Sequence, residues 1–349
     1  MSLKSLFPAL RAPVDIEGLV SLGDGIEAHL PMLQLVENLY LRRVLACICT
    51  ARIQGMSSAD VEPWLSLAPG EAGQLARSPY VTALVHHLVA RPCVDEEPVM
   101  QLLVELPRCI KRGHRPGELD WRGSELLPTI EVATRDGIEM RLAANTEFLR
   151  WASVEAAQAG YLHRTRPSDL GEIDIATEAL MLVEQVWPSA AAELGKVLTH
   201  LIVIDPALRT TGATSHRTRG ASWVAMRNPV ELALTIIHEA GHQVVASLLD
   251  LFALAHDQKA MVRSIYGQQR PVYAVLHAAV SFGREAQFAH RLTEMGHDQS
   301  GHWLIPALAD YVREIGDLSA RAVAIVDAHA ALTDVGELVL SGVRKLVNG

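Results

Sequence analysis

The residues with the clearest chemical potential are His238, Glu239 and His242, in the pentad His238-Glu239-Ala240-Gly241-His242. On an α-helix, side chains at i and i+4 lie one above the other on one face, so both imidazoles can reach one ion. Imidazole accepts iron and zinc alike, so the pair alone leaves the metal open. A glutamate directly after the first histidine can sit beside a metal-bound water and act as general base, as in zinc hydrolases. The chain has 15 histidines in 349 residues, so the flanks must carry part of the argument. Leu232, Leu234, Ile236, Ile237, Val244, Val245, Leu248 and Leu249 surround the polar triplet with core residues. Two imidazoles and a carboxylate in such a helix are costly unless something pairs with them. The competing structural reading is a pair of core histidines hydrogen-bonded to backbone.

A catalytic metal usually takes three protein ligands and keeps open positions. The candidates for a third are His256, Asp257, His277, Glu285 and Asp250. His277 is favoured because Pro271-Val-Tyr-Ala-Val-Leu-His277-Ala-Ala-Val again puts a polar side chain in an apolar helical setting. Glu285, further along the same stretch, is the carboxylate alternative. A lone histidine on an apolar face is more often a satisfied core residue, and that alternative stands beside the ligand reading.

These residues need elements to hold them. Asn228-Pro229 before Val230-Glu231 is a helix start: Asn caps, Pro suits the first turn, and Glu231 favours the positive end of the dipole. The helix over Pro229 to Leu251 then places His238 and His242 well inside it. Leu201-Ile-Val-Ile204 reads as a buried strand and Ala221-Ser-Trp-Val-Ala225 as a second, leading into the metal helix. Thr129 to Ala133 and Ile138 to Leu142 flank Arg135-Asp136-Gly137, a hairpin signal. Further helices are expected over Ile26 to Cys49, Tyr80 to Leu106, Ile173 to Val186, Val272 to Met295, Trp303 to Val326 and Val335 to Val347. The expected fold class is α+β, predominantly helical, with a small sheet and hairpin beside the metal helix. The basic, Gly- and Pro-containing segment Lys111 to Gly117 divides the chain into an N-terminal helical region, 1–115, and a catalytic metal region, 116–349. The first region is a candidate wall of a peptide groove.

Apolar residues make up 49% of the chain, which argues for a substantial core and against wholesale disorder. A formal charge of −9 argues against non-specific nucleic-acid binding, which needs a basic face. Pro8, Arg11 and Pro13 break the N-terminal apolar stretch, so no signal peptide is expected. No run is read as spanning a bilayer, since Val230 to Leu254 carries Glu231, Glu239 and two histidines. Cys47, Cys49, Cys93 and Cys109 form neither a CxxC pair nor a disulfide frame. A cytoplasmic protein without nucleic-acid or membrane partners is the expectation.

The stretch Gly220-Ala-Ser-Trp-Val-Ala225, then His238-Glu-Ala-Gly-His242, then Arg270-Pro-Val-Tyr-Ala-Val-Leu-His277 resembles a bacterial family of HExxH peptide-modification proteins. These accompany radical-SAM maturases of ribosomal peptides and are described as iron(II)- and 2-oxoglutarate-dependent peptide β-hydroxylases. The resemblance covers roughly residues 200–295, and only the HExxH part is sharp. It implies Fe(II) and 2-oxoglutarate as cofactors and a precursor peptide as partner. His238, His242 and His277 would then be the ligands, three neutral groups where two His and one carboxylate are commoner. The distal carboxylate of 2-oxoglutarate calls for a guanidinium. Arg270 is the first choice, about two helical turns before His277; Arg227, Arg217 and Arg219 follow. Glu239 would orient a ligand or a substrate amide in an oxygenase, but polarise water in a zinc peptidase. That peptidase is the alternative function, although neither a second NExxSD-type helix nor a metzincin extension is present. A non-catalytic helical binding protein is the third reading.

Overall fold

The computed structural model describes residues 39–45, 48–49, 56–90, 97–111, 130–133, 139–143, 170–204, 211–295 and 308–348. The segment 112–117, the hairpin turn expected at Asp136-Gly137, Cys47 and Cys93 lie outside them. Helical residues 39–45 and 48–49, then helices α1 (Ser58–Leu65), α2 (Pro69–Ala76), α3 (Pro79–Ala90) and α4 (Glu97–Lys111), precede a hairpin of β1 (Ile130–Ala133) and β2 (Glu139–Ala143). Then come α5 (Leu170–Val186), α6 (Pro188–Val197), β3 (His200–Ile204), β4 (Gly212–Thr214), a 3-10 turn at His216–Thr218 and β5 (Ala221–Ala225). The metal-helix candidate is α7 (Pro229–Leu251). A second hairpin, β6 (Met261–Arg263) and β7 (Gln269–Pro271), leads into α8 (Val272–Glu294), followed by α9 (Leu308–His329) and α10 (Asp334–Asn348). The fold is α+β and predominantly helical.

The main sheet has the order β1-β2-β3-β5-β4. Its centre is parallel, with Ile202 opposite Trp223 and Val203 opposite Val224, while β4 runs antiparallel to β5 and is the last strand on that side among the described residues. Successive strand residues face opposite ways, and here both faces are covered. Leu201, Val203 and Val224 join a core with α5 to α10, whereas Ile202, Ile204, Ala221, Trp223 and Ala225 join a second core with the N-terminal helices. The N-terminal helices therefore form a full layer on the sheet, on the face away from α7.

The start of α7 follows the sequence: the Asn228 side chain accepts from the Glu231 N–H at 2.9 Å, and Pro229 occupies the first turn. By length and composition α7 could cross a membrane, contrary to the sequence reading. It is instead a core helix, with 17 of its 23 residues buried. Gln243, fully buried on α7, accepts from the Gly220 N–H at 3.2 Å and donates to the Ala221 carbonyl at 3.1 Å. That clamp fixes the helix against the start of β5, where Gly220 has φ +93° and a Cβ would meet the Arg77 carbonyl oxygen at 2.8 Å. At Gly241 a Cβ would meet the Ser281 Cα at 2.9 Å, so the glycine within the pentad lets α7 and α8 touch.

Candidate metal centre

α7 and α8 bring His238, His242 and His277 together. The His238 and His242 rings meet edge-on at 4.9 Å, and the His242 and His277 rings stack at 5.5 Å. The Nδ1 atoms of His242 and His277 lie 3.3 Å apart. All three rings keep some solvent exposure, while Glu239 beside them is buried. Phe282 and Tyr273 pack edge-on against His238 and His277 and limit their tilt.

Each protonation state has a cause. Burial, with the charges of His238 and His277, holds His242 well below the usual imidazole range. Burial and the charge of His216 push His277 down to about 3. Both rings are thus neutral and carry the lone pair that ligation needs. For His238 burial also lowers the pKa, but the hydrogen bond and charge of Glu285, with Glu239, outweigh it and raise it. His238 Nδ1 lies 2.9 Å from Glu285 Oε2, and the other Glu285 oxygen accepts from the Tyr311 hydroxyl on α9.

Among the described residues, no three His, Cys, Asp or Glu side chains already converge their donors on one point. The imidazoles satisfy one another instead, through the Nδ1 contact and the ring stacking. The donor set still fits a nitrogen-ligated divalent metal: three adjacent imidazoles, two of them held neutral, lie beside a buried carboxylate with an unsatisfied oxygen. That oxygen is Glu239 Oε2, which has no hydrogen-bond partner among the described residues. Ligation would replace the imidazole–imidazole contact between His242 and His277.

Glu239 faces the edge strand. A hydrogen bond to its carboxyl comes from the Thr214 side chain, and a Cβ at Gly212 would stand 2.7 Å from Glu239 Oε1. Gly212 is therefore what allows β4 to pass so close to the pentad. Burial raises the Glu239 pKa, opposed by His238 and the Thr214 bond and assisted by Glu285.

The remaining candidates separate clearly. Asp250 accepts from the Tyr40 hydroxyl at 2.5 Å, the His256 N–H donates to the Ala331 carbonyl, and Asp257 accepts from the Lys259 N–H. Arg270 is not on the helix before His277: α8 begins at Val272, and Arg270 lies exposed in β7, donating to Gln268 at 3.1 Å. Pro271 ends that strand and supplies the turn into α8, which the apolar pattern alone did not distinguish from helix. Arg227 pairs with Glu231 at 3.7 Å near the start of α7.

Three nearby groups were not singled out from sequence. Tyr311 lies on a helix whose apolar periodicity gives no hint that one hydroxyl turns inward. His216, in the 3-10 turn with Arg217, acts electrostatically on His277 and meets His86 edge-on at 5.6 Å. The tip of the β6–β7 hairpin approaches Glu285 through Tyr266, whose pKa burial and that carboxylate raise. The backbone there is held by Arg321, which donates to the Ile265 carbonyl at 2.8 Å. No family of known proteins and no curated protein matches the sequence.

Proposed function

We propose that His238, His242 and His277 hold one iron(II), and that the protein is a 2-oxoglutarate-dependent oxygenase hydroxylating the β-carbon of a residue in a ribosomally made peptide. The observation that carries this reading is the third imidazole: His277 reaches the His238–His242 pair from a separate helix, while the local carboxylate, Glu285, turns to His238 Nδ1. Three protein ligands would leave positions on the metal for a 2-keto acid and O₂. Bound there, iron would supply the activation of O₂, coupled to oxidative decarboxylation of the keto acid. The chain supplies binding, orientation and exclusion of water.

Arg217, next in sequence to His216, whose charge acts on His277, is the carboxylate anchor proposed in place of Arg270. The peptide fits the outer edge of β4, which among the described residues has no further strand beyond it. Main-chain groups on such an edge bind an extended peptide by strand addition. A peptide in that position runs along the strand that packs against Glu239.

One observation favours a second reading. A carboxyl with its pKa raised by burial, beside a metal pair and an edge strand, also suits the general base of a zinc peptidase. Anaerobic Fe(II) and 2-oxoglutarate distinguish the two. The oxygenase gives a saturable visible metal-to-ligand charge-transfer band that His242→Ala abolishes. Absence of the band, with stoichiometric zinc and peptide hydrolysis lost in Glu239→Gln, would establish the peptidase.

A further inference from the structure

We infer that Glu285 is a positioning residue rather than a metal ligand, and that Tyr311 and Glu285 form a hydrogen-bonded chain from α9 through α8 to His238 on α7. The inference rests on the metal-centre reading above. Glu285 is buried, with both oxygens engaged: one lies 2.9 Å from His238 Nδ1, and the other accepts from Tyr311. An imidazole that donates Nδ1–H to a carboxylate has its tautomer fixed, leaving Nε2 as the only lone pair for a metal. The ring is also restricted in rotation about its Cβ–Cγ bond, helped by the tilted Phe282 ring with its centroid 4.9 Å away.

Tyr311 completes the geometry. Its hydroxyl keeps its proton, because burial and the Glu285 charge raise its pKa far above the usual phenol range. It is thus a permanent donor, and it occupies the oxygen that Glu285 would otherwise offer to a metal. The close packing of α8 on α9 supports this arrangement: Ser319 donates to the Ala279 carbonyl at 2.9 Å, and a Cβ at Gly283 would stand 3.2 Å from Ser319 Oγ. Among the described residues the side-chain partner of His242 and His277 is the other imidazole rather than a carboxylate, so His238 is the ligand whose direction is set in advance.

The test is titration of the full-length apo-protein with Co(II), read by its visible d–d bands, with apo melting temperature as the folding control. Glu285→Ala is expected to bind one Co(II) about 10–100-fold more weakly, with band positions and intensities unchanged. Glu285→Gln, which keeps an acceptor for Nδ1–H, is expected to restore affinity to within a few-fold. Tyr311→Phe is expected to weaken binding less than Glu285→Ala, with the same bands. Unaltered affinity in Glu285→Ala would overturn the inference. Shifted bands in Glu285→Ala or Glu285→Gln would also overturn it, by making Glu285 a ligand. Should Glu285→Ala fail to fold, the bands of Glu285→Gln and Tyr311→Phe decide the matter. Failure of the unmutated protein to bind Co(II) would instead bring down the metal-centre reading itself.

Discussion

Replacing Gly241 by alanine tests whether the close approach of α7 and α8 builds the site. The added Cβ would stand 2.9 Å from the Ser281 Cα and 3.0 Å from its Oγ, against 3.4–4 Å for ordinary van der Waals packing. The helices must separate by about half an ångström, because a clash with backbone cannot be relieved by a rotamer change. Overpacking of this kind costs about 1–3 kcal/mol. The substitution also gains about 1 kcal/mol in helix propensity. The net expectation is destabilisation by about 1–2 kcal/mol, since collision with the main chain puts the cost in the upper part of its range. Gly316→Ala on α9 is the control, because nothing lies within 4 Å of its Cβ position. It should gain about 0.5–1 kcal/mol from propensity alone. Urea unfolding of the two apo-variants should therefore separate them by about 2 kcal/mol, with Gly241→Ala the weaker. Gly241→Ala should also bind Co(II) at least about tenfold more weakly, because it shifts His238 and His242 relative to His277. Equal stability and equal metal affinity in the two variants would refute the reasoning.

Other substitutions probe separate parts of the account. Arg217→Ala should weaken 2-oxoglutarate about 10–100-fold in the charge-transfer titration, as expected for one charge-assisted carboxylate contact, while Arg270→Ala leaves it unchanged. Arg284 and Glu193 form a buried two-point ion pair, at 2.6 and 3.2 Å. Arg284→Met should cost about 3–5 kcal/mol in denaturant unfolding, and adding Glu193→Leu should recover most of it. His86 is held down to about 4 by burial and by the charges of His216, Arg43 and Arg217, against the opposing pull of Asp250. The native state therefore binds fewer protons than the unfolded chain between about pH 6.5 and 4, and stability is lost as pH falls through that window. His86→Gln should flatten that part of the pH–stability curve relative to the unmutated protein.

The parts of the site legible in the sequence are those set by local chemistry. The cap at Asn228, the i, i+4 pair and the apolar flanks of α7 are neighbours in the chain, and each appears as read. His277 was reachable because a polar side chain inside an apolar helix is costly unless something uses it. Arg270 was misplaced because a three-residue strand before a helix carries no periodicity of its own. The partners of Glu285 and Glu239 were invisible for another reason. Tyr311 comes from a helix with an ordinary amphipathic pattern, and Gly212 matters only because β4 folds back beside Glu239. The packing of the N-terminal helices on the sheet was likewise a tertiary fact. The apolar run of β3 signalled a buried strand, but not what would cover it.

The most direct test of the central claim is the stoichiometry of Fe(II) bound anaerobically to the purified apo-protein and to its three single histidine variants. One tightly bound Fe(II) per chain is predicted, with binding lost in His238→Ala and His242→Ala and equally in His277→Ala. Full retention of the metal in His277→Ala would contradict the account, because it would remove the third imidazole on which the proposed site depends.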